Sequence, residues 1–175
     1  MKLGAQGLAV AVVLGLLVLL VWRVTHRPRP VKVGGHAPAF DLKRLEGGGK
    51  LALASYSGHV RVVNFWATWC GPCKSESPAL QRLWERYRKR GVVFVGVDYT
   101  DVASDARRFV HKFGLTYPMV RDGDGAVGDR YDLTGVPETF VVDRRGRLVE
   151  HFAGPIDARD TDRAFRRAVD RALAS

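Results

Sequence analysis

Both cysteines of this 175-residue chain fall in one phrase, Trp66-Ala67-Thr68-Trp69-Cys70-Gly71-Pro72-Cys73. An apolar run from Val60 to Phe65 leads into it, and an amphipathic helical pattern leads out. A Cys-x-x-Cys pair at a strand-to-helix junction admits few architectures, because a buried strand must deliver the pair to the first turn of a helix. That turn leaves N–H groups unpaired and carries partial positive charge, which favours a thiolate. Cys70 is therefore the candidate nucleophile, and Cys73, one turn deeper, the candidate resolving thiol. Pro72 fits an early helical position, where no N–H donor is needed.

Two other uses of such a pair fare worse. A structural zinc takes four ligands, and the histidines His26, His36, His59, His111 and His151 supply no second closely spaced pair. A purely structural disulfide gains little from so small a ring, since the benefit grows with loop length. Asp122-Gly123-Asp124-Gly125 has the outline of a calcium loop, but Leu133 stands where the distal glutamate belongs. A turn with Asp124 as helix N-cap is the better expectation. No metal or other cofactor is expected beyond a redox-active Cys70–Cys73 disulfide.

Residues Leu3 to Trp22 carry no charge, enough for one bilayer crossing. No small-residue cleavage site follows the run, so an uncleaved anchor over 1–24 is expected, then a linker over 25–35 and a folded domain over 36–175. Arg23, Arg27 and Arg29 follow the span while Lys2 precedes it, a balance that by itself favours a cytoplasmic domain. The formal net charge of +10 raises nucleic acid as a partner. The basic residues are scattered among acids on the polar faces of expected helices, and no nucleic-acid motif is present, so solvated surface is the better account.

The periodicity predicts short strands at 40–42 and 50–53, a buried strand over 60–67 and a helix over 71–90 with Leu80, Leu83, Trp84 and Tyr87 on one face. A strand over 92–97 follows, parallel to the first because a helix joins them. A helix over 105–113, a brief extended piece over 117–120, a short helix over 126–131, a hairpin of 139–142 with 148–152, and a helix over 161–174 complete the chain. The order specifies an α/β fold with a central mixed sheet flanked by helices.

Three phrases carry a family resemblance: Gly35-His36-Ala37-Pro38-Ala39-Phe40, Val63-Asn64-Phe65-Trp66-Ala67-Thr68-Trp69-Cys70 and Gly135-Val136-Pro137-Glu138-Thr139-Phe140. Over residues 33–174 the chain resembles the thioredoxin superfamily, and within it the membrane-anchored TlpA/ResA/CcmG (DsbE) group. The resemblance implies a thioredoxin-like fold and an extracytoplasmic thiol:disulfide oxidoreductase on the periplasmic side of the cytoplasmic membrane. It implies apocytochrome c as client and a membrane electron donor of the DsbD/CcdA type. It also implies that Pro137 is cis beside the disulfide, that Val136 offers its backbone to an extended substrate, and that Trp69, Gly71 and Pro72 border the same site. Glu76 and Glu138 match acids of CcmG-like members; a carboxylate on the face of Cys73 can exchange its proton during resolution. The competing account of Glu76 is a surface acid paired with a basic neighbour. Asn64 stands where cytosolic thioredoxins carry a buried aspartate, which shifts proton handling toward the glutamates. The paired Cys73 disfavours a peroxidase. A disulfide-forming oxidant and a copper-site or general reductase remain as alternatives.

Overall fold

The computed structural model describes residues 2–25 and 31–175, with first-helix side chains from Val10 to Trp22. Helix α1 covers Lys2–Thr25. The expected anchor and linker lie in part outside the described residues, and among the described residues no helix is long and apolar enough to cross a membrane.

The folded part is one mixed sheet between helical layers, as the sequence implies. Its strands are β1 (Asp41–Arg44), β2 (Lys50–Ala52), β3 (Val60–Trp66), β4 (Val92–Tyr99), β5 (Met119–Asp122), β6 (Glu138–Val142) and β7 (Leu148–Ala153), in spatial order β2-β1-β5-β4-β3-β6-β7. Strands β3, β4 and β5 run parallel, and the other neighbours pair antiparallel. Helices α2 (Gly71–Tyr87), α3 (Ala103–Phe113) and α5 (Arg159–Ala174) cover one face, and the short α4 (Ala126–Arg130) lies on the other.

Strand β3 is buried at every position. Its alternation sends Val60, Val62 and Trp66 toward α2, α3 and α5, and Val63 and Phe65 toward α4. The N-terminal segment is strapped onto the sheet edge. Gly34 donates its N–H to Leu148 O at 2.7 Å, Leu148 returns one to Gly35 O at 2.8 Å, and the Tyr131 hydroxyl donates to Pro38 O at 2.9 Å.

Several boundaries differ from the sequence expectation. Helix α2 stops at Tyr87, and residues 88–90 tighten into a 3-10 turn before Gly91 takes a left-handed conformation with φ 78°. Strand β4 runs on to Tyr99 and so carries Asp98 into the interior. The piece expected at 117–120 is a full strand over Met119–Asp122, because β4 and β1 both pair with it. Asp124 is not the cap of α4: Gly125 occupies that position with φ 76°, and the buried Asp122 carboxylate accepts the N–H groups of Val127 and Gly128, the latter at 2.8 Å. Helix α5 begins at Arg159, two residues earlier, and buries Phe165, Ala168, Val169 and Ala172.

Gly96 on β4 gives Met119 and Trp66 their room. A Cβ there would collide with Met119 Sδ and lie 3.1 Å from Trp66 Nε1, and both neighbours are buried. Gly96→Ala is expected to lower unfolding stability by about 1–3 kcal/mol in urea melts, the usual cost of overpacking a filled core. An unchanged midpoint would show that Met119 moves aside freely.

Candidate redox site

Strand β3 ends at Trp66, and the turn that follows delivers Cys70 as the N-cap of α2. The Cys73 N–H donates to Cys70 Sγ at 3.0 Å, and the two sulfurs form a disulfide. Cys70 is 4% exposed and Cys73 1%, whereas Trp69 is 61% exposed beside them. Gly71 and Pro72 form the exposed first turn of α2. The Val136–Pro137 peptide is cis, and Val136 O lies 3.3 Å from Cys70 Sγ. The fold thus gathers Trp69, Gly71, Pro72, Val136 and Pro137 around one disulfide edge.

Glu76 is not a surface acid. It is 1% exposed, and its partners are neutral: Oε1 accepts from Asn64 Nδ2 at 3.0 Å and Oε2 from the Ile156 N–H at 3.1 Å. Asn64 Nδ2 also donates to Thr139 Oγ1 at 3.0 Å, so one amide joins β3, β6 and α2. Burial pushes the Glu76 carboxyl up to about 7, with Asp157 adding to the rise and the two hydrogen bonds opposing it.

Glu138 is just as buried, yet differently employed. Its Oε1 accepts from the Thr134 N–H at 2.8 Å, the Thr134 hydroxyl at 2.6 Å and the Gly135 N–H at 3.1 Å. Its Oε2 meets His151 Nε2 at 2.7 Å, and that imidazole stacks on Phe140 with centroids 4.3 Å apart. Oε1 is thereby committed to the loop that presents Val136 to Cys70, and Oε2 to His151 on β7.

Sequence reasoning missed a further buried acid, near the end of β4. Asp98 is fully buried, both its oxygens lack a hydrogen-bond partner among the described residues, and Arg121 Nε stands 3.7 Å away. Burial pushes Asp98 up to about 7, Asp101 adds to the rise, and Arg121 opposes it. Asp101 accepts the Thr68 N–H at 2.6 Å and its neighbour Val102's N–H at 2.8 Å, tying the redox turn to the β4–α3 loop. The available signal was a charged residue closing the apolar run of β4. Among the described residues no group of three His, Cys, Asp or Glu side chains is placed to hold a metal.

A helix-capping disulfide, a cis-proline loop against the first sulfur and a buried acid on the helix behind the second define a thioredoxin-fold thiol–disulfide oxidoreductase. The chain belongs to the AhpC/TSA family, whose pattern it matches over residues 33–151. It is 35% identical over 133 residues to the thiol-disulfide oxidoreductase ResA of Geobacillus kaustophilus, covering 76% of each chain. It is 36% identical over 126 residues to the thiol:disulfide interchange protein DsbE of Pseudomonas fluorescens biotype C, covering 71% of this chain and 68% of that one. The crystal structure of a DsbE-type protein from Chlorobium tepidum superposes with a TM-score of 0.76 at 26% identity, over 82% of this chain and 99% of that one.

The raised carboxyls fix the sign of a pH effect. Glu76 titrates near 4.5 in the unfolded chain and about 7 when folded. Between those values unfolding releases its proton, so stability falls as pH rises, and above them the loss is complete. Asp98 acts in the same sense from 3.8 upward. Glu76→Gln is expected to flatten the fall in urea midpoint between about pH 5 and about pH 8, whatever constant offset the amide introduces. Equal slopes in variant and parent would mean that Glu76 ionises as an ordinary acid.

Proposed function

We propose that this protein reduces disulfides of apocytochrome c before haem attachment, working from the outer face of the cytoplasmic membrane. The observation that carries the reading is the Glu76 carboxyl, buried one helical turn from Cys73, on neutral partners, and titrating near neutrality. A resolving thiol must lose its proton at the moment it attacks, and such a carboxylate accepts it. The Cys70 thiolate attacks one sulfur of the client disulfide, forming a mixed disulfide and expelling a client thiolate. Cys73, its proton passed toward Glu76, attacks Cys70 Sγ and releases the second client thiolate. The client gains two electrons and, from Glu76 and solvent, two protons; the protein keeps the Cys70–Cys73 disulfide. A membrane dithiol donor of the DsbD/CcdA type then reduces that disulfide to the Cys70/Cys73 dithiol and is itself oxidised to a disulfide. Val136 O supplies strand-like pairing to the client beside Cys70, and Glu138 holds that loop in shape.

An anchor over 1–24 is supported by the uncharged run Leu3–Trp22, the helical backbone of Lys2–Thr25 and the exposure of its apolar side chains from Val10 to Trp22. Alkaline phosphatase fused after His36 is expected to be active in the native host; an inactive fusion would place the domain on the cytoplasmic side.

For the chemistry, the full chain as Cys73→Ala is expected to accumulate mixed disulfides on Cys70, with apocytochrome c identified by mass spectrometry. Capture of a copper-site protein, or of many unrelated secreted proteins, would reassign the client. Glu76→Gln is expected to slow resolution on the order of a hundredfold, with the pH dependence of the step lost. A glutathione titration should give a potential nearer thioredoxin's, about −270 mV, than the roughly −120 mV of a disulfide-forming oxidant.

A further inference from the structure

At the β1–β5 side of the sheet opens a cavity of about 530 Å3 that the exchange reaction does not use. Its walls come from β1, the start of β2, the first half of α3 and the end of β5 with the turn after it. Lys43, Arg44, Lys50, Arg107 and Arg121 line it. Two acids offset these five cations, and both are engaged: Asp41 lies 3.5 Å from Lys50 Nζ, and Asp124 accepts the Ala126 N–H. Like charges around a concavity with low-dielectric walls focus their potential into it.

Arg121 joins the cavity to the redox site. Its Nε and Nη2 donate to Asp101 O at 3.2 and 2.6 Å, and Asp101 Oδ2 in turn accepts the Thr68 N–H. The guanidinium lies across Gly123, where a Cβ would stand 2.9 Å from Arg121 Cζ, so the absent side chain leaves it a seat at the cavity wall. Ala103 is on the cavity rim, and Val102, 60% exposed, separates it from Asp101. The Asp101–Val102 loop thus lies between the cavity and the turn that leads to Cys70.

We propose that this cavity is a docking site for an acidic segment of the protein client flanking its disulfide. The proposal rests on the exchange reaction at Cys70 read above. Guanidinium groups bind carboxylates in forked pairs. The cations are spread over four elements around an open mouth, which suits several aspartate or glutamate side chains along a peptide better than one compact anion.

The test uses the full-length chain in neutral detergent and two disulfide-bonded reporter peptides, identical around their cysteines. One carries a flanking run of aspartates and the other asparagines in their place. At low salt kcat/KM is expected to be about tenfold higher for the acidic peptide, the gain lying in KM, and to approach parity as salt screens the cavity. Arg107→Glu, and independently Lys43→Glu, should abolish the preference. Arg163→Glu, on α5 outside the cavity, changes the net charge by the same step and should keep it. A preference lost equally in all three variants belongs to the overall charge and overturns the proposal, as does a parent chain that does not distinguish the peptides. Failure of the parent to exchange with either peptide would defeat the exchange reading itself, and this proposal with it.

Discussion

The register of β3 is the constraint on which the rest depends. This strand is buried along its whole length and paired on both edges, parallel to β4 and antiparallel to β6. Because side chains alternate, a slip of one residue would exchange the two core faces. The same register sets the polar geometry. It places Asn64 opposite Thr139, where its amide also reaches Glu76, and Trp66 opposite Asp98. The redox pair hangs from the end of this strand, so hydrophobic burial and catalytic alignment are fixed by one set of ladder bonds.

Two glutamates near one disulfide show how environment divides a residue type into roles. Glu76 faces an amide and a backbone N–H, with no cation paired to it among the described residues, and burial leaves its proton bound until near neutrality. Glu138 faces three loop donors and a histidine, and acts as the knot of the cis-proline loop. The difference lies in what the fold sets opposite each carboxylate.

The redox centre was legible in the sequence because its parts are local: a cysteine pair, a helix start and a Val-Pro dipeptide each announce themselves within a few residues. The central strands were legible for the same reason, since apolar runs such as Val60–Phe65 are contiguous. What could not be read arises from register and from reach. His151 meets Glu138 because β7 lies beside β6, a pairing that no local pattern encodes. Asp101 and Arg121 are separated by 20 residues and joined only because β5 inserts between β4 and β1. Asp124 looked like the helix cap on cap preference alone, whereas Gly125 holds that position, Asp124 accepts only the Ala126 N–H, and the buried Asp122 takes those of Val127 and Gly128. The acidity of Glu76 could be placed on the right helix face but not assigned its depth, because burial depends on the loop before α5 folding over it.

The strap at the sheet edge sets how far the catalytic surface travels. Val31 already packs on the core, and Gly34 and Gly35 are bonded to Leu148, while α1 ends at Thr25. Covalent geometry caps the path from Thr25 to Val31 at roughly 20 Å. That is little more than the roughly 15 Å radius of gyration of a domain this size. With the end of α1 fixed in a membrane, as proposed above, covalent geometry would keep the disulfide within a thin shell around that end.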